Sequence, residues 1–308
     1  MLNSNLRIYN STFQGNRASG SGGNYVSAAV ASCPGVGQHG QGGAGGNGGA
    51  VMIDGGDDTD VVVCGSTFTG NHANELGGAL ARTPDGVARR TTLDRDAFSN
   101  NTAAKAGAVF ILNSKPLDIL ATTFSGNSAT AFGAAQLSNS QLNIVNTTFS
   151  GNEATHGVGG AIFSDGNASA SVIQNATFAD NKASGGAGYF SAALFGNIAF
   201  PIRNTVFSNN TSGDAYNPMQ CGFTAASGTT DLQWPIFRVL GNLQDTPCVV
   251  GIAFADPLLA GLANNSGPTP TRLPAATSPL RKAGRNCPTT DQRGVARNTA
   301  ACTIGAVE

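Results

Sequence analysis

Two hexapeptides set the reading of this chain: Thr122-Thr123-Phe124-Ser125-Gly126-Asn127 and Thr147-Thr148-Phe149-Ser150-Gly151-Asn152. Ser66 to Asn71 is a near copy, and looser copies lie at Ser11 to Asn16, Asp96 to Asn101, Ala176 to Asn181 and Thr205 to Asn210. The phenylalanines fall at 13, 68, 98, 124, 149, 178 and 207. After a first gap of 55 the steps are 30, 26, 25, 29 and 29. Such a period signals a solenoid, in which each repeat stacks on its neighbours.

Two further elements ride on the same period. Gly77-Gly78-Ala79-Leu80, Ala106-Gly107-Ala108-Val109, Phe132-Gly133-Ala134-Ala135 and Gly159-Gly160-Ala161-Ile162 follow successive Asn residues. A short β-rich run precedes each Phe, as in Leu142-Asn143-Ile144-Val145, where apolar residues alternate with the strand period. The Leu-x-x-Leu-x-Leu pattern of leucine-rich repeats is absent, and the β-branched residues disfavour helical repeats. The fold expected is all-β: a right-handed parallel β-helix with three strands per coil. Phe68, Phe98, Phe124, Phe149 and Phe178 should stack inside. Asn71, Asn101, Asn127, Asn152 and Asn181 should form an inward ladder that satisfies turn backbone groups. Paired Gly supplies close backbone approach.

Residues 1–213 are expected to form the coils. Within them, residues 17–47 are a Gly-rich loop or an extra coil. Residues 214–308 should finish the rod and cap it, because an open end exposes unpaired strand edges.

Composition narrows the function. Charged residues make up 11% and the formal net charge is −1, so no basic footprint for nucleic acid exists. No apolar run reaches the ~18 residues a membrane-spanning helix needs. The segment Met1 to Arg7 has no basic start followed by an apolar core. The chain opens inside a repeat unit, so an export segment is expected upstream.

The six cysteines form no C-x-x-C pair, which argues against zinc. Six thiols allow 15 connectivities. In a rod, sequence neighbours are spatial neighbours, so Cys33–Cys64, Cys221–Cys248 and Cys287–Cys302 are the simplest pairs; buried free thiols are the alternative.

Asp54, Asp57, Asp58 and Asp60 form a dense acidic cluster in a Gly-rich turn, a candidate Ca²⁺ site, with a solvated turn as the plain alternative. No other cofactor is indicated. Asp291 and Arg293, between Cys287 and Cys302, read as a structural ion pair holding a loop. His72 occupies the polar slot that Glu153 and Lys182 take in other coils and should face solvent. A polysaccharide lyase would need a Lys or Arg base with acidic ligands on adjacent coils. Lys105, Arg82 and Glu75 do not recur that way. The carboxylates of the central coils, Asp118, Glu153, Asp165 and Asp180, show no facing pair for glycoside hydrolysis, and Asp180 reads as turn chemistry. No catalytic residue is assigned.

The Phe-x-x-Asn and Gly-Gly-Ala-Ile elements resemble those of the chlamydial polymorphic outer-membrane proteins. The tail resembles the end of the choice-of-anchor Q proteins: Asp256-Pro257-Leu258-Leu259, Asn265-Ser266-Gly267-Pro268-Thr269, Asp291-Gln292-Arg293-Gly294 and Cys302-Thr303-Ile304-Gly305-Ala306-Val307-Glu308. Ser278-Pro279-Leu280-Arg281 departs from that family's pattern. The resemblance implies a bacterial secreted or cell-surface β-helix, structural or adhesin-like. Its partners would be extracellular polysaccharide, other surface proteins, or further copies joined end to end. A polysaccharide-active lyase or hydrolase on the same scaffold is the alternative.

Overall fold

A computed structural model of the chain describes residues 5–19, 46–55, 59–84, 86, 89–167, 170–184, 192–196, 200–212, 219–222, 227–235 and 247–308. Every regular element among them is a strand. The strands form a right-handed parallel β-solenoid. The central coils each contribute to four sheets, here called A to D in chain order, with eight, nine, seven and six strands among the described residues. The coil therefore has one strand more than the sequence suggested. The extra one is a two-residue strand in sheet C, such as Ser128–Ala129, directly after the ladder Asn.

In the coil from Leu117, sheet A holds Leu117–Leu120, sheet B Thr123–Ser125, sheet C Ser128–Ala129 and sheet D Ala135–Ser138. A left-handed residue turns the chain from A to B: Asn10, Gly65, Arg95, Ala121, Asn146, Asn175, Asn204 and Thr230 all have φ between 46° and 65°. Another turns it from B to C, where Gly126 and Gly151 alternate with Asn100, Asp180 and Asn209. Gly, Asn and Asp tolerate this conformation best, so the variable residue ahead of the ladder Asn follows from backbone geometry. Asp180 is thus the turn residue its position suggested.

Register is kept coil on coil, with Phe98 opposite both Phe68 and Phe124, and Phe149 opposite both Phe124 and Phe178. Phe13, Phe68, Phe98, Phe124, Phe149, Phe178 and Phe207 form one internal stack with ring centroids 4.7–5.2 Å apart and planes within 10°. That separation is the strand spacing itself. Behind them, Ala79, Ala108, Ala134 and Ala161 are fully buried. The neighbouring glycines are required by contact: a Cβ on Gly78 would fall on the carbonyl oxygen of Gly107 in the next coil.

The buried Asn side chains bond one another from coil to coil. Asn127 accepts at Oδ1 from the backbone N–H (3.0 Å) and Nδ2 (2.9 Å) of Asn101. Its own Nδ2 donates to the Phe98 carbonyl (2.9 Å) and to Asn152 Oδ1 (2.9 Å). Asn71, Asn101, Asn152 and Asn181 repeat this pattern, and all five are fully buried. At the far end Asn210 donates to Gln220 Oε1 (3.0 Å), which replaces the next amide.

The A and B sheets continue past residue 213, through Gly228–Thr229, Leu232–Trp234 and Ala253–Phe254. From residue 255 the chain runs back along the flank of the rod as an arm, over the A-to-B turn row. It bonds Asn204 and Asn175 first in space and reaches Thr123 and Ala121 at its farthest. Coil edges are short and alike, whereas this seam offers a row of free turn groups, and the arm pairs with those.

Candidate functional site

Among the described residues, the arm and the seam it covers make an irregular surface that unites distant parts of the chain. Gln292 is its centre. Its Oε1 accepts from Thr148 Oγ1 (2.6 Å), and its Nε2 donates to Thr123 Oγ1 (2.7 Å) and Thr269 Oγ1 (2.9 Å). Asn146 reaches the Thr290 carbonyl (2.8 Å), and Arg272 bonds Ser150 Oγ (3.0 Å) and Asp180. Thr177 Oγ1 accepts from the backbone N–H of Ala306 (3.0 Å). The outward Thr and Ser of sheet B thus serve as the arm's landing points.

Antiparallel bridges at Leu259–Pro274, Ala263–Thr271, Gly284–Cys302 and Thr290–Ala296 hold the arm in shape. So does the disulfide Cys287–Cys302, with Cα atoms 6.4 Å apart. Asp291 is the structural acid the sequence suggested: it pairs with Arg293 through Nε (3.0 Å) and Nη2 (2.8 Å) and accepts the backbone N–H of Arg293, Val295 and Glu308. Arg297 is buried against Thr303 and Gly305 carbonyls and Glu308, and burial lowers its pKa from the usual arginine value.

Between arm and rod lies a cleft of about 580 Å³. Leu120, Ala121, Val145 and Pro268 give it an apolar floor. Asp94, Arg95, Asn146, Thr290 and Arg293 give it polar walls. The Arg95 side chain is 52% exposed and bonds Asp94 at 2.6 Å. Both charged pairs are internally neutral, so the cleft offers donors, acceptors and an apolar base to a neutral polar ligand. Cys64 stands beside it, 3.8 Å from Asp94 Oδ2 and 3.6 Å from Arg95 Nη2. Burial first, then Asp94, pushes its thiol up, which keeps it protonated and a poor nucleophile.

The remaining expected residues are placed as follows. Cys221–Cys248 is bonded, with Cα atoms 5.2 Å apart. Of the expected Cys33–Cys64 pair, Cys64 is a free thiol on the outer face of sheet A, and Cys33 lies outside the described residues. Asp54 is exposed and accepts from Thr83 Oγ1 (2.9 Å), and Asp60 is half-buried. Asp57 and Asp58 lie outside the described residues. Among the described residues no three His, Cys, Asp or Glu side chains converge on a point. His72 faces outward and bonds Thr102 (2.8 Å). Lys182 pairs with Glu153 (3.4 Å) on the same face.

Sequence reasoning missed two features. One is an outward aromatic row on sheet D, where Phe132 stacks on Phe163 (4.0 Å) and Phe163 on Phe195 (6.0 Å). The other is a second, mostly polar row inside the A-to-B turn, where residue identity varies between Ser, Thr, Asp and Ala and so hides the repeat.

Residues 146–165 match the Chlamydia polymorphic membrane protein (Chlamydia_PMP) repeat. That stretch runs from the seam residue Asn146 through Phe149, Asn152 and Gly159-Gly160-Ala161 into sheet D, so the match covers the ladder-forming elements of one coil. No curated protein sequence matches the chain.

Proposed function

We propose that this chain is a bacterial surface or secreted rod, adhesin-like rather than catalytic, whose stacked coils display side chains along its length for binding. The polymorphic membrane protein repeat at residues 146–165 carries the reading, because the rod's other coils share the Phe-x-x-Asn pattern of that stretch. The resemblance of residues 256–308 to the end of choice-of-anchor Q proteins supports placement outside the cytoplasm, as do the two disulfides. Extracellular polysaccharide or another surface protein is the partner class, and the neutral cleft beside Arg95 and the open faces of sheets C and D are the surfaces offered to it.

The purified chain should retain particular neutral or acidic polysaccharides in a binding screen without shortening them. Release of oligosaccharide product would overturn the non-enzymatic reading in favour of a lyase or hydrolase. End-to-end association of copies is the second reading. A concentration series by light scattering tests it, and a monomer at all concentrations would remove it.

A further inference from the structure

The inner row of the A-to-B turn follows a rule. In most coils the residue after the left-handed turn residue is a Ser or Thr that bonds its own turn and, at several, the neighbouring coil as well, while Ala176 fills the slot with no polar group. The hydroxyl donates to the carbonyl two residues back: Ser11 to Tyr9 (2.9 Å), Thr122 to Leu120 (2.9 Å), Thr147 to Val145 (3.0 Å), Thr205 to Arg203 (3.0 Å). The same oxygen accepts a backbone N–H from the preceding coil, as Ser66 does from Ser11 (3.2 Å) and Thr122 from Asp96 (3.2 Å). The slot therefore calls for one acceptor and one donor.

Two coils place aspartates there. Asp96 Oδ1 accepts the Ser66 N–H (2.7 Å), and Asp231 Oδ1 accepts the Thr205 N–H (2.8 Å). In both, Oδ2 is buried with no hydrogen-bond partner. An ionised carboxylate only accepts, whereas a protonated one also donates. We propose that Asp96 and Asp231 sit in the rod as neutral carboxylic acids standing in for Ser and Thr, and that loss of their protons loosens the seam beneath the arm.

Burial drives the same way: desolvation pushes Asp96 up to about 7 and Asp231 up to about 8. Around Asp96 stand Asp94, which adds to the rise, and Arg95, which opposes it, with Cys64 on the adjoining strand. Near Asp231 the preceding coil carries Arg203, and the arm brings Arg285 to Asn204. Both acids hold their protons more tightly folded than unfolded. The stability each proton supplies is full below the unfolded value of 3.8 and is lost as pH rises through about 7 for Asp96 and about 8 for Asp231. The seam also carries the arm, since Gln292 Nε2 reaches the Thr122 carbonyl and Thr269 the Ala121 carbonyl. Alkaline loosening at Asp96 therefore acts on the arm's far end.

The test uses the full chain. The melting temperature is followed from pH 5.5 to 9.5 for the parent and for Asp96→Asn/Asp231→Asn, whose amides supply the acceptor and donor at every pH. The parent should lose several degrees across this range, and the double variant should lose clearly less. An equal slope in both, or a flat parent curve, overturns the proposal. If the double variant fails to fold, infrared spectra of the parent decide instead. A protonated-carboxyl carbonyl band that persists to neutral pH and fades above it supports the proposal, and its absence at pH 6 overturns it.

Discussion

The rod and the arm are held by opposite strategies. In the rod, every stabilising group is one member of a series. Phe124 stacks on Phe98 and Phe149, and Asn127 bonds Asn101 and Asn152, so each coil depends on its two neighbours and on little else. In the arm nothing repeats. Gln292, Arg297 and Cys287–Cys302 each occur once and meet rod residues more than a hundred positions away in sequence. Damage to a series should therefore spread along the rod, whereas damage to the arm should stay on the flank.

Four variants and one matched control put that contrast under strain. Phe124→Ala opens a cavity in the middle of the stack and should cost about 3–5 kcal/mol. Thermal unfolding and hydrogen exchange should both report it, with protection lost in the coils of Phe98 and Phe149 as well. Protection lost in one coil only would show that the stack is not cooperative. Replacing Cys287 and Cys302 together by Ser releases a sequence separation of 15. By the loop-entropy account this is worth about 3 kcal/mol. Here the first change should be proteolysis within residues 255–308, with the rod's strands intact. Early cleavage in the coils would mean that the arm braces the whole rod.

Asn127→Leu keeps the volume but strips partners from the Asn101 N–H groups and the Phe98 carbonyl. Each buried group left unpaired costs about 1–3 kcal/mol. Ser128→Ala, one residue on and half-exposed, is the matched control and should barely move the melting temperature. Equal small effects would reduce the Asn series to turn preference. Lys182→Ala removes a surface ion pair with Glu153 in which the lysine is 53% exposed, and should cost about 0.5 kcal/mol or less. A larger loss would show that sheet C's outer face contributes to the series after all.

This division also explains what could be read in advance. Phe and Asn repeat by identity, so both ladders were visible in the letters. The strand in sheet C was not, because two small residues such as Ser128 and Ala129 carry no alternation to detect. The inner turn row was hidden because Ser66, Asp96, Thr122 and Ala176 fill one slot with different chemistry. The arm's path was out of reach in kind: Gln292 carries no mark that it meets Thr123 and Thr148, since single contacts leave no period. Asp291 was legible as structural only because Arg293 stands two residues away.

The Asn ladder has a sense of direction. Every amide hands its Nδ2 hydrogen forward to the next coil and receives at Oδ1 from the coil before, until Gln220 closes the sequence. A link of this kind joins like to like, so a whole coil can be spliced in or out and the bonds rejoin in the same order. Half a coil would set an amide opposite a strand. Descendants of this chain can therefore change length only in whole strides of one strand spacing, about 4.8 Å. The rod is a ruler whose gradations are cut by a side-chain amide, and the reach of whatever it displays is counted in those steps.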